Sequence, residues 1–255
     1  MDNFRVAIYF KIEYHMNETK DEERLLRIIL SILLGVFGFV IGYNISKIVD
    51  EMVLWKEKQN NKKYTLYRIE YKRDKWINGI LVSIGIVVAF EYFKFYEFIL
   101  VSIMCILAVF GARIDERIRI IPNELVLLIL VIGIVNQLAT GGLRSLGSGL
   151  LALIITAGIF FSSAFTTRLL SGSIGIGAGD IKLAMVLSLM LGFENVYLFL
   201  MGIVLFLVFY IIIGFSTKTI WVGSTFPMCI QIMGGCIIAM YEPVIMDILG
   251  KLFTL

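Results

Sequence analysis

The sequence contains a single histidine and only three cysteines among its 255 residues. His15 lies in a polar N-terminal stretch, so the chain lacks the imidazole base of a serine-type triad and the usual nitrogen ligand of a metal centre. Cys105, Cys229 and Cys236 all fall in apolar stretches, and none has a second cysteine at metal-ligand spacing. We therefore predict buried free thiols and no metal site.

Charged residues are also scarce. They make up 17% of the chain, against roughly 25% in soluble domains, whereas 59% of the residues are hydrophobic. The mean hydropathy is +0.89. Apolar stretches near the roughly 20 residues that span a bilayer as a helix recur along the chain. The predicted fold class is an all-α polytopic membrane protein, surrounded by membrane lipid and with no nucleic-acid partner.

About eight transmembrane helices are predicted, and the sixth is short. A total of seven stays open, because the sixth could be a half-span. The segments lie at about 26–45, 77–93, 97–112, 124–138, 146–165, 181–191, 196–215 and 227–249. In terms of domains, the prediction is a polar N-terminal segment at 1–25, a first transmembrane helix at 26–45, a basic cytoplasmic loop at 46–76 and a transmembrane core at 77–255.

The distribution of lysine and arginine predicts the orientation. The segment 46–76 is rich in both, and Arg113, Arg117 and Arg119 follow the third span. Since cytoplasmic loops carry the excess of basic residues, both regions are expected on the cytoplasmic side of the membrane. We also expect that the first span is not a cleaved signal peptide, because its apolar run is long and ends in no small residues.

Two aspartates lie at the edges of apolar segments, where a charge is costly and calls for a reason. The first, Asp115, is followed by the turn Ile121-Pro122-Asn123, with Pro122 suited to the first turn of a helix and Glu124 near its positive end. An alternative is that Asp115 only balances the neighbouring arginines.

The second aspartate ends the run Gly177-Ala178-Gly179-Asp180 and is followed by Lys182. The four glycines between positions 172 and 179 leave no side chains beside the backbone there, so an extended peptide could approach closely. The alternative for Asp180 alone is a helix N-cap. A phosphate site is disfavoured, because the Gly-Lys-Ser/Thr ending of a P-loop is missing.

Together these motifs resemble those of the type IV prepilin peptidases, leader peptidases of the Gly-X-Gly-Asp aspartic group. In that family the first catalytic aspartate precedes an Ile-Pro-Asn turn, as Asp115 does, and the second ends Gly-X-Gly-Asp followed by X-Lys, as Asp180 does. Thr225-Phe226-Pro227 is similar to the family's Pro-Phe-X-Pro region. The resemblance runs from about residue 77 to 235.

The resemblance implies an aspartic endopeptidase that cuts the short basic leader of a prepilin-like membrane precursor after glycine. Asp115 and Asp180 would be its catalytic pair, one acting as base and the other as acid. Gly177, Gly179, Lys182, Pro122 and Asn123 would support the site. From their position we add the hypothesis that Glu116 and Glu124 attract the leader's positive charges. The peptidase step would need no cofactor.

The resemblance leaves several alternatives open. Many family members also N-methylate the new N-terminus with S-adenosylmethionine, but 46–76 lacks the Cys-X-X-Cys pairs common there. Archaeal preflagellin peptidases, with preflagellin-like substrates, share the motifs. Presenilin-like enzymes fit less well, since Ile114 replaces their tyrosine and Pro-Ala-Leu is absent. In a different class, the aspartates could serve an ion or solute transporter.

Overall fold

The computed structural model describes residues 2–61, 63–64, 72–171, 176–218 and 227–253. Within these ranges it describes the side chains from residue 22 onward, except those of residues 60, 170, 171 and 253. The glycine run at 172–175 and the residues Thr225 and Phe226 of the sequence motifs lie outside these ranges. The described chain is all helical. Its helices are α1 (Asp2–Asn60), α2 (Lys72–Tyr92), α3 (Phe95–Ile118), α4 (Asn123–Ser171), α5 (Ala178–Ser216), α6 (Cys229–Met240) and α7 (Glu242–Phe253).

Glycines interrupt the two longest apolar helices after α1. At 49 residues, α4 would be about 74 Å long if straight, far more than the roughly 30 Å hydrocarbon core of a bilayer. Its backbone is non-helical at Gly141 and Gly142, and α5 has the same kind of break at Gly192. Gly142 and Gly192 have φ values of 61° and 78°, which favour glycine.

The break in α4 reverses the chain direction. The side chain of Ser145 donates a hydrogen bond to that of Gln137, eight residues earlier and therefore about 12 Å away along a straight helix. Gly133 and Gly149 also lie on opposite sides of the break, yet both contact Leu189. Contacts of this kind require a helical hairpin, so α4 consists of two antiparallel segments.

Within the described residues, five helices are long and apolar enough to cross a membrane, or six if the bent pair α6 and α7, which meet at 65°, is one span. The predicted spans at 124–138 and 146–165 lie on the two sides of the α4 break, and those at 181–191 and 196–215 on the two sides of Gly192. The arrangement is that of a helical membrane protein. The total of eight spans stays a prediction.

Helix α1 does not end at residue 45, where the predicted span gives way to a basic loop. It continues to Asn60 because Ile45, Val49 and Val53 recur at four-residue spacing on one face. This face is buried in a cluster with Ile114 and Ile118 at the end of α3. The first part of the segment 46–76 is therefore a helical extension that packs beside the Asp115 region.

The larger core cluster joins α3, α4, α5 and α6. One of its close contacts is between glycines of α5 and α6. A Cβ built on Gly202 would lie 2.7 Å from the Cα of Gly235, and one built on Gly235 would lie 2.7 Å from the carbonyl oxygen of Phe199. Small residues let helix backbones approach closely in membrane proteins, and here they hold α6 against α5.

We predict that Gly235→Ala destabilises the protein by about 1–3 kcal/mol, because the added methyl group meets backbone atoms that cannot give way. Thermal unfolding in one detergent measures the effect. Gly158→Ala is the matched control, since a Cβ at Gly158 has no neighbour within 4 Å. Equal unfolding midpoints for the two variants would contradict the close packing of α5 and α6.

Candidate active site

Asp115 lies in the last turn of α3 and is only 5% exposed. Arg119 ends this helix in a left-handed conformation, with its N–H donating to the backbone carbonyl of Asp115. The carboxylate of Asp115 accepts a hydrogen bond of 3.0 Å from the backbone N–H of Cys229, the first residue of α6. A helix N-terminus carries partial positive charge, so the start of α6 favours an anion at this place.

Asp180 lies in the first turn of α5. Its carboxylate accepts a hydrogen bond of 3.2 Å from the backbone N–H of Gly177. Gly177 has the extended conformation of the N-cap, so Asp180 is the third helical residue and reaches back to the cap. The sequence alternative, in which Asp180 is itself the N-cap, is therefore not the geometry found. This aspartate also sits at the positive end of a helix.

The fold brings the two aspartates into one site. Gly179, beside Asp180, packs on Ile121 of the turn after Asp115, and a Cβ at Gly179 would lie 3.3 Å from the Ile121 Cβ. The carboxylates of Asp115 and Asp180 interact electrostatically with each other. Both carboxylates also interact electrostatically with the fully buried thiol of Cys229. The two carboxylates are thus electrostatically coupled, as are the two carboxylates of aspartic peptidases.

The part of the chain around the pair also matches a known family. Residues 98–215 match the model of the type IV leader peptidase family. This segment is therefore similar to that family. It makes up somewhat less than half of the chain and includes both aspartates and the turn between them. No curated protein and no solved structure matches. The recognition made from the motifs is thus confirmed.

The other residues of the sequence motifs lie around the aspartate pair, but not all of them face it. Pro122 is buried and precedes the first residue of α4, Asn123, which is exposed. The Pro122 carbonyl accepts the N–H of Val126, so Pro122 lies at the cap rather than inside the first turn. Lys182 is exposed and only two residues beyond Asp180, a spacing at which helical side chains do not face each other.

Glu116 and Glu124 are both engaged in ion pairs. Glu116 lies 2.7 Å from the guanidinium of Arg113, with both side chains largely covered. Glu124 lies 2.8 Å from the ammonium of Lys56, which comes from the helical extension of α1. Each acid therefore has a cation beside it, and this reduces the negative charge that a basic leader would meet.

Sequence reasoning missed the groups that hold Asp115. Cys229 was expected to be only a buried thiol, yet its backbone N–H binds the first aspartate. The guanidinium of Arg119 interacts electrostatically with the same carboxylate. The predicted span at 227–249 begins close to Cys229, but nothing in the sequence shows that its start lies against residue 115.

Gln231 braces the turn that presents the Cys229 N–H. Its side chain is fully buried, and with its amide nitrogen toward them it donates to the carbonyls of Pro227 at 2.7 Å and Met228 at 3.1 Å. An amide buried in an apolar core is retained at low cost only when its hydrogen bonds are made. Gln231 therefore fixes the backbone immediately before the donor to Asp115.

A mainly apolar cavity of about 500 Å³ lies between α2, α3, α5 and α6, and neither Asp115 nor Asp180 lines it. Glu116 and Ile230, next in sequence to Asp115 and Cys229, line one part of it. Ile237 and Tyr241, near the far end of α6, line another. Among the residues that the structure describes, no group of three His, Cys, Asp or Glu side chains is arranged to hold a metal ion.

We predict that Cys229→Ala keeps cleavage of a leader-bearing precursor within a few-fold of the wild-type rate, because the backbone N–H that binds Asp115 remains. Gel-resolved cleavage by protein in detergent provides the measurement. Cys236→Ala, also fully buried on α6, is the matched control for lost packing. A large loss of rate in the Cys229 variant alone would instead assign a role to the thiol.

Proposed function

We propose that this protein is a membrane aspartic endopeptidase that removes the short basic leader of type IV prepilin-like precursors. It cuts after glycine, at the cytoplasmic face of the cell membrane. The observation that carries the proposal is the pairing of Asp115 and Asp180 at two adjoining helix starts within a leader peptidase segment. The basic residues near Asp115 support the cytoplasmic orientation.

In the proposed mechanism one carboxylate of the pair is ionised and the other protonated. The ionised group takes a proton from water as the water attacks the scissile carbonyl, and the protonated group donates to the developing oxyanion. The helix starts of α5 and α6 favour the single negative charge, wherever it resides. The roles exchange during turnover, so the titration belongs to the pair.

The surroundings of the pair suit a substrate that is half in the membrane. Gly177 is exposed and has no side chain, which leaves room for an extended backbone beside Asp180. The apolar cavity next to Glu116 and Ile230 would accept side chains from the precursor's apolar segment. The leader and the apolar helix would then meet at the carboxylates, where the peptide bond is cut.

Preflagellin-like precursors stay an alternative substrate, because they present the same chemistry to the site. A transporter is less well supported. Asp115 and Asp180 both lie at one end of their apolar helices, and α3 continues about 28 Å from Asp115 to Tyr96. Transport sites lie near the bilayer midplane rather than at one edge.

N-methylation of the new N-terminus stays a separate proposal, with S-adenosylmethionine as the methyl donor. It is supported by the family resemblance alone. The same cleavage assay tests it, since product incubated with S-adenosylmethionine would gain the mass of one methyl group. An unmethylated product from an active peptidase would contradict it.

We predict that Asp115→Asn and Asp180→Asn each lower cleavage of a purified prepilin by about 10²–10⁴-fold, because asparagine keeps the size but cannot carry the proton. Mass spectrometry locates the cut after the leader glycine. Asp247→Asn is the matched control, since Asp247 pairs with Lys251 on α7 and lies away from the described site.

Two outcomes would contradict the proposal. Folded wild-type protein that cleaves none of a panel of prepilins and preflagellins would exclude the peptidase function. Cleavage that persists in either asparagine variant, with the unfolding midpoint unchanged, would exclude the pair as the catalytic groups.

We further predict a small effect of the two neighbouring acids on substrate affinity. Glu116→Gln and Glu124→Gln should each raise the apparent KM for a basic leader measurably, but by less than about tenfold, because each acid is already paired with a cation. Salt titration of KM measures the electrostatic part. No change in either variant would contradict the hypothesis that these acids attract the leader.

A further inference from the structure

A polar hollow of about 460 Å³ lies where α4 and α5 are both interrupted by glycine. We call it the interfacial hollow. Its polar lining includes Asn136, Thr140, Arg144, Ser148, Glu194 and Asn195. The hollow plays no part in the proposed peptidase chemistry, and its volume is in the range of sites for small ligands.

The interfacial hollow lies at the opposite edge of the helices from the aspartates. The Tyr96 hydroxyl donates to the side chain of Asn136 at 3.2 Å, which places the hollow beside the start of α3. Asp115 is nineteen residues further along this helix, or about 28 Å. This is close to the thickness of a bilayer's hydrocarbon core, so the hollow lies at the level of lipid headgroups.

Most polar groups of the hollow have a structural use. The amide of Gln137 donates to the carbonyls of Leu189 at 2.8 Å and Met190 at 3.0 Å, and Asn136 donates to Met190 as well. The N–H of Phe193 donates to the hydroxyl of Ser148. These bonds satisfy backbone groups that the break at Gly192 leaves without helical partners.

Two charged side chains of the lining have no such use. Arg144 and Glu194 are exposed, and within the described part of the chain neither makes a hydrogen bond or ion pair. They line one hollow with opposite charge but do not pair with each other. An arginine offers a planar fork of donors that suits a phosphate, and a carboxylate suits an ammonium group.

We propose that the interfacial hollow binds the headgroup of a zwitterionic phospholipid, with the phosphate on Arg144 and the ammonium group on Glu194. Soluble phosphoethanolamine and the headgroup of phosphatidylethanolamine are both phosphorylated primary amines. Because the hollow lies at the level of the headgroups, the lipid is the occupant. Leu143 and Phe193 flank the charged residues and are exposed on the same edge, where acyl chains would cover them. The apolar side chains of Met190 and Leu191 lie beside the polar lining.

The test uses the full-length protein, purified in detergent and stripped of lipid. The unfolding midpoint is followed as phosphatidylethanolamine, phosphatidylglycerol or water-soluble phosphoethanolamine is added. Wild-type protein should be stabilised most by phosphatidylethanolamine. Arg144→Gln should weaken the apparent affinity for both lipids by about tenfold or more, and Glu194→Gln should remove only the preference for the ethanolamine lipid.

Two control variants distinguish the hollow from general charge effects. Arg168→Gln and Glu51→Gln remove exposed charges outside the hollow, and both should respond to lipid as the wild type does. Native mass spectrometry counts the lipids that each variant retains. An unchanged response in Arg144→Gln would overturn the proposal, and so would equal stabilisation by soluble phosphoethanolamine, which would indicate a small-molecule site. None of these readouts depends on peptidase activity.

Discussion

The hydrogen bond from the backbone N–H of Cys229 to the carboxylate of Asp115 joins the start of α6 to the end of α3. The site depends on this contact because it places a helix N-terminus against a buried acid. Several features hold the donor in position. Gln231 braces the preceding turn, and the glycine contact between Gly202 and Gly235 sets how closely α6 lies on α5. A buried acid without such donors would carry a large desolvation cost.

The second acid reaches the same place by a different route. Asp180 closes the first turn of its own helix, and Gly179 allows that turn to lie on Ile121. The turn at Ile121 follows α3 directly, so one short connection serves both carboxylates. The two aspartates are thus 65 positions apart in the chain but are positioned by neighbouring backbone segments. Each sits where a helix dipole favours negative charge.

The extension of α1 forms ion pairs with residues near the aspartate pair. Arg117 pairs with Asp50, and Lys56 pairs with Glu124. Along the sequence these charges indicate a basic loop at the membrane surface. In the structure their apolar neighbours Val49 and Val53 pack on Ile114 and Ile118, and the charges lie along the edge of that contact. A helix that buries one face can hold its charged face beside the site.

Composition by itself determined the class of protein, and motif spacing indicated the resemblance to the leader peptidases. An apolar chain of this length has to form membrane helices, because backbone groups in lipid require internal partners. The positions of the predicted spans between 124 and 215 also anticipated the two glycine breaks. Pairs such as Asp115 with Cys229, or Lys56 with Glu124, could not be predicted, because they join distant positions through the packing of whole helices. Only the tertiary structure decided them, since side-chain periodicity shows which face is buried but not which neighbour it meets.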